Sequence, residues 1–193
     1  YSQAVDVAEM LGNVVKAFLN GNTQAAAKTV EKDEDIDRNE IMIEEECLKI
    51  LALHQPVAGD LRYIVTFLKV NNELERIGDL AVKIAKLVSG KRLAFVFLIA
   101  FFACFSQNLI PVHVAFIPIL IPQMEIARQM LKAALDALVA RNCLEANETI
   151  RMDDRIDELN REVIERSEEL IKQHPELAQY YISVIFISRH LER

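Results

Sequence analysis

Acidic side chains occur where apolar ones belong along Glu31–Leu53, "EKDEDIDRNEIMIEEECLKILAL". An α-helix turns about 100° per residue. On that geometry Ala26, Val30, Asp33, Asp37, Glu40, Glu44, Cys47, Leu48 and Leu51 share one stripe. Both ends of the stripe are apolar and its middle is carboxylate. A solvated helix carries its acids opposite its apolar stripe; here they interrupt it. "ERIGD" repeats the pattern, with Glu75 and Asp79 on a stripe that also holds Leu61, Ile64, Leu68, Asn71, Asn72 and Val82. Inward carboxylates from two helices need compensation. Three forms exist: shifted pKa values, Lys or Arg partners, or a bound cation. Arg38 and Arg76 each stand one residue after an acid and offer partial pairing. Oxygen-only ligands suit hard cations such as Mg²⁺, Ca²⁺, Mn²⁺ or iron. A single acid pair one turn apart is ordinarily a solvated face; recurrence inside apolar stripes favours metal.

The elements that must position these acids are legible from apolar spacing and from breakers. Residues 2–20 read as a helix and "GNT" stops it, with Asn22 or Thr23 as the cap of the next. A long helix over about 24–53 ends at "HQP", because the residue before Pro56 leaves helical geometry. A third runs from about 57 to 88, with Gly59 and Gly78 as soft points. The order then recurs: a helix over 123–141, a break at "NC", a long helix over 144–173 ending at "QHP", and a last one from about 176.

A recurrence this long signals duplicated units. A shift of 120 lays Asn22 on Asn142, Ala26 on Ala146, Asp33 on Asp153 and Asp37 on Asp157. A shift of 117 lays Leu68 on Ile185 and the "LER" at 74–76 on that at 191–193. Glu40 becomes Asn160 and Glu44 becomes Ile164, so these two are helpers and the Asp pairs are essential. The expected fold is all-α: two tandem, repeat-related three-helix bundles over 1–90 and 123–193, joined by an apolar connector over 91–122.

Composition agrees. The chain has 193 residues, 52% of them hydrophobic, with only five Gly and five Pro; Ala, Leu, Ile and Glu dominate, which favours helix over sheet. A net charge of −7 argues against non-specific nucleic-acid binding. Cys47, Cys104 and Cys143 form no CxxC pair and fit a reducing cytoplasm. The N-terminus has no signal-peptide pattern and no initiator Met, and both ends read as trimmed.

The stretch "ILALHQPVAGDLRYIVTFLKVNNELERIGDLAVKIAK" resembles the signature region of the PhoU family of phosphate-signalling regulators. The flanking "DEDIDRNEIMIEEECL" and the second copy, "MDDRIDELNREVIERSEELI" with "ISRHLER", are similar too. The resemblance covers about 2–90 and 123–193. It implies two three-helix bundles carrying E/D-x-x-x-D motifs that bind metal clusters, iron in some members. Carried over, the metal residues are Asp33, Asp37, Glu75 and Asp79 in the first bundle, and Asp153, Asp157 and Glu192 in the second. The last acid of the second motif would lie three residues past Arg193, so the second site is incomplete in this chain. The resemblance further implies a cytoplasmic, dimeric regulator that couples a phosphate ABC transporter, through its ATPase subunit, to a sensor histidine kinase. Such a regulator dampens the phosphate-starvation response and meets the membrane only through its partners.

The connector departs from the family. "LAFVFLIAFFACFSQNLIPVHVAFIPILIP", 93–122, has no Asp, Glu, Lys or Arg. Its apolar run falls short of the ~17–25 residues of a membrane span; a membrane hairpin, a packed connector and a sequence fault all remain open readings. His54 reads as a capping or packing residue of the "HQP" turn, and Cys47 as a small core residue equivalent to Ser167. The competing function is a ferritin-like di-iron redox or storage bundle. That class uses Glu-x-x-His pairs, and three residues before His54, His113, His174 and His190 stand Leu51, Ile110, Ile171 and Ile187. No phosphate loop or nucleophile elbow occurs either. The expectation is a regulator and no enzyme.

Overall fold

The computed structural model describes residues 2–89 and 116–193. These form six α-helices: α1 (Ser2–Leu19), α2 (Thr23–His54), α3 (Ala58–Ser89), α4 (Ile117–Ala140), α5 (Cys143–Gln173) and α6 (Ala178–Glu192). A 3₁₀ turn, Pro175–Leu177, leads into α6, and no strand occurs among the described residues. Helices α1 to α3 pack on one another, as do α4 to α6; α1 against α4 and α3 against α6 join the two bundles. The expected all-α duplicated architecture is the one observed.

The breaks have the chemistry the sequence assigns them. Asn22 Oδ1 accepts the Ala25 amide at 3.0 Å, and Asn142 Oδ1 accepts those of Leu144 at 3.0 Å and Glu145 at 3.4 Å. Each satisfies amides that a helix start leaves free. Before each cap the chain turns left-handed, at Gly21 with φ 62° and at the repeat-equivalent Arg141 with φ 52°. Gln55, ahead of Pro56, closes α2 with φ 42°.

Helix α4 starts at Ile117, not at 123. Phe116, Ile119 and Leu120 are buried, followed on the same face by Gln123 and Met124. The tail of the apolar connector thus continues the inward stripe of α4. Pro118 lies in the first turn, where a missing N–H costs nothing; Pro122 is taken up inside the helix. The readings of the connector over 93–115 lie outside the described residues. No described helix is long and apolar enough to cross a membrane.

One core runs through both bundles. Val7, Met10, Val14 and Phe18 of α1 join Ala81, Ile84 and Val88 of α3, and Tyr180, Tyr181, Val184 and Ile187 of α6. Phe18 stacks on Tyr180 with ring centroids 5.7 Å apart, and Phe116 lies 6.2 Å from Tyr181. Gly12 faces α4 across this core: a Cβ there would stand 3.7 Å from Arg128 Nη1 and 3.8 Å from Met124 Sδ, ordinary contact distances. Burying each large apolar side chain is worth about 1.5–3 kcal/mol.

Helix α1 has 18 residues, whereas α2 and α3 have 32 each. It covers the start of α2 and the end of α3. The remaining halves, 41–54 and 58–70, form a two-helix arm in which no side chain is fully buried. Cys47, read as a core residue, lies on this arm and is only half-buried. The reason is that no described helix packs over its stripe there. The arm touches the second bundle through Tyr63, whose ring lies 4.4 Å under the Arg141 guanidinium. Arg141 also reaches Asp60 at 3.9 Å.

Candidate metal centre

The acids of α2 and α3 meet along one edge of the seam between these two helices. Gly78 lies at the closest approach: a Cβ at that position would stand 3.5 Å from both Asp33 Oδ1 and Ile36 Cγ2, an ordinary contact, and anything larger would meet them. Gly78, read from sequence as a soft point, is the place where α3 lies directly against a carboxylate of α2. Seven residues earlier on α3, Asn71 donates from Nδ2 to the carbonyl oxygen of Glu40 at 2.8 Å. Glu40 is seven residues after Asp33. The two contacts therefore fix one antiparallel register, and Asp37 and Glu75 lie between them.

The charges respond to this arrangement. Burial raises the pKa of Asp33, Asp37 and Asp79 push the same way, and Lys86 pulls it back. Burial also raises that of Glu75, with Asp79, Glu40, Asp37 and Asp33 adding to it in that order. Five carboxylates thus share one field. Glu40, demoted to a helper by the repeat, belongs to that field; Glu44 is exposed one turn further out.

Neither candidate arginine neutralises the seam. Arg38 pairs with Asp35 and donates to the Glu34 carbonyl at 3.1 Å. Arg76 holds both oxygens of Glu73, at 2.9 and 2.7 Å. Both turn outward to acids on their own helices. The cations that do reach the seam are lysines of α3. Lys83 Nζ donates to Asp79 Oδ2 at 3.3 Å, and Lys86 acts on Asp33. Sequence reading missed them, although Lys83 follows Asp79 by one helical turn, the spacing of an ion pair.

The donor set fits a hard cation. All candidates are carboxylate oxygens, Gly78 leaves the space that a side chain would fill, and the buried Asn71 Oδ1 has no hydrogen-bond partner. The side chains are not yet disposed as ligands: among the described residues no three Asp, Glu, His or Cys groups stand in a metal-holding arrangement. Asp37 and Asp79 are exposed, and Asp79 is engaged by Lys83. Occupation requires side-chain rotation on a backbone already in register.

The second bundle gathers its acids less. Asp153 and Glu192 line one groove of about 270 Å³ together with Thr149, Ile156 and His190. Asp157 is exposed and does not line it. Where Glu40 stands in the first seam, Asn160 accepts from Ser188 Oγ at 2.9 Å. His190 donates from Nδ1 to the Phe186 carbonyl at 2.7 Å; burial lowers its pKa.

Fold and site together define a duplicated three-helix-bundle protein with a carboxylate seam in its first repeat. The chain belongs to the PhoU family: the PhoU domain model matches residues 3–88 and 122–193. It is 29% identical over 183 residues to a phosphate-specific transport system accessory protein PhoU homolog of Zymomonas mobilis, covering 95% of this chain and 70% of the relative. It is 28% identical over 190 residues to the phosphate-specific transport system accessory protein PhoU of Escherichia coli, covering 97% and 70%. The crystal structure of PhoU from Pseudomonas aeruginosa superposes with a TM-score of 0.79 at 25% identity, over 99% of this chain and 84% of that one.

Proposed function

We propose that the protein is a non-enzymatic, metal-binding regulator of phosphate uptake. It acts in the cytoplasm as a homodimer, between the ATPase subunit of a phosphate ABC transporter and a sensor histidine kinase, and dampens the phosphate-starvation response. The observation that carries this reading is the family match over both repeats, since the named relatives are accessory proteins of the phosphate-specific transport system.

Asp33, Asp37, Glu75 and Asp79 are the residues that would hold the metal, with Asp153, Asp157 and Glu192 as a sparser second set. Iron, Mg²⁺ or Mn²⁺ suits these oxygens. A bound cation supplies charge neutralisation and cross-links α2 to α3. The acids themselves set where the helices are allowed to close, and Lys83 and Lys86 hold part of that charge. A nucleophile, a base and oxyanion donors converging on one cleft would be needed for catalysis; the seam gathers carboxylates with two lysines and one amide.

Deleting the gene is expected to switch on phosphate-scavenging genes in phosphate-rich medium. A version lacking Glu75 and Asp79 should complement the deletion poorly, and protein purified without chelator should carry metal by elemental analysis. An unaltered starvation response, together with catalytic oxidation of ferrous iron by the purified protein, would establish the di-iron enzyme instead.

A further inference from the structure

The bond from Asn71 to the Glu40 carbonyl has a counterpart in the second bundle. The shift of 117 places Asn71 on Ser188, and that of 120 places Glu40 on Asn160. Ser188 Oγ lies 2.9 Å from both Asn160 Oδ1 and Gln123 Oε1 and shares its one proton between them, where Asn71 Nδ2 donates to Glu40 O at 2.8 Å. The donors and acceptors differ in chemistry, yet the positions joined are the same. In each bundle the donor lies one turn before the acid of the third helix (Glu75, Glu192). In each the acceptor lies three residues after the second acid of the long helix (Asp37, Asp157).

Asn71 is only 2% exposed, and its Oδ1 has no hydrogen-bond partner. For stability alone, an apolar residue serves better at a buried site than an amide with one orphaned acceptor. Apolar ridges also pack at more than one axial offset, because successive ridges on a helix are alike. A buried polar contact discriminates between such offsets, as a single buried Asn does in a coiled coil. One helical turn of slip, about 5.4 Å, would carry Glu75 past Asp37 and move Asp33 off Gly78.

We infer that Asn71 is a positioning residue, whose bond to the Glu40 backbone locks α2 and α3 in the one register that brings the two acid pairs together. Ser188, between Asn160 and Gln123, occupies the equivalent position in the second bundle, where the acids are fewer. This rests on the reading of the seam as a cation site, and it assigns the lock to a residue that is not itself a ligand.

The test compares Asn71→Leu with Leu74→Ala, a buried neighbour on α3 without a polar contact. Each is made in a background with Cys47, Cys104 and Cys143 replaced by Ser. Affinity for Mn²⁺ is measured by titration. Register is measured without metal, from the distance between nitroxide labels at the exposed positions Glu45 and Lys69. For Asn71→Leu the expected result is an unchanged or higher melting temperature, at least a tenfold loss of Mn²⁺ affinity, and a label distance displaced or broadened by up to about 5 Å. Leu74→Ala should lower the melting temperature and leave affinity and distance alone. An Asn71→Leu protein with wild-type affinity and distance overturns the lock, as does one that differs from wild type only in melting temperature. If the wild-type protein binds no metal, the cation reading falls, and the label distance alone decides the lock.

Discussion

Gly78 and Asp33 lie in direct apposition across the α2–α3 seam: a Cβ on the glycine would stand 3.5 Å from Asp33 Oδ1. That distance is an ordinary van der Waals contact. Gly78→Ala should therefore be accommodated and, by removing a helix-interior glycine, stabilise the metal-free protein by about 0.5–1 kcal/mol. A rise of a few degrees in melting temperature would show it. Gly78→Leu has no such room and should force the seam apart, lowering the melting temperature and abolishing cation binding together.

The pH dependence of the metal-free protein follows from Asp33 and Glu75, both of whose pKa values are raised by burial and by neighbouring acids. A carboxyl with a folded pKa above its unfolded value contributes stability below the unfolded pKa, and loses it as pH rises through the folded one. Glu75→Gln keeps the uncharged form at every pH. The melting temperature of this variant should exceed that of wild type by an increasing margin from about pH 4 to about pH 7. A margin that shrinks over this range would mean that Glu75 is stabilised as an anion by an unrecognised partner.

Lys83 competes with any cation for Asp79, to which it donates at 3.3 Å. Replacing it by Met keeps most of the side-chain bulk and removes the charge. Lys83→Met should tighten Mn²⁺ binding several-fold, consistent with an exposed pair worth about 1 kcal/mol or less, and make that binding more sensitive to salt, because the site is left more negative. Weaker binding in the variant would place the lysine among the groups that support the site.

Arg141 combines a left-handed backbone with a cation–π contact, and the two can be separated. Arg141→Gly relieves the backbone at φ 52° but removes the guanidinium from Tyr63. Tyr63→Leu removes the contact and leaves the backbone as it is. The exposed contact is worth about 0.5–1 kcal/mol and the glycine at such a cap about as much. Arg141→Gly should thus be close to neutral in thermal unfolding, and Tyr63→Leu destabilising.

Periodicity and breakers sufficed for five of the six helix starts and for the duplicated order, because Asn22, Pro56, Asn142 and Pro175 act locally. The start of α4 was hidden, since Pro118 and Pro122 read as breakers and the apolar run around them has no polar face to give a period. Which acids lie along the seam was also legible, from their place in the apolar stripes. What they pair with was not. Arg38 and Arg76 are as near in sequence as Lys83, and only packing decides that they turn outward to Asp35 and Glu73. The role of Asn71 depends on Glu40, 31 residues away, and no local pattern announces a bond to a backbone carbonyl.

The acids stand at the boundary between the covered and uncovered halves of α2 and α3. From Glu40 to the tip of the arm at His54 the chain rises about 21 Å, with Arg141 touching both Tyr63 and Asp60 of the arm from the second bundle. The seam is thus the fulcrum of a lever, gripped on one side by α1 and long on the other. A change of about 5° in the crossing of the two helices carries the tip nearly ~2 Å. Charge gathered at Asp33 and Glu75 is gathered beside the pivot, where a small local adjustment is amplified most in displacement at the tip.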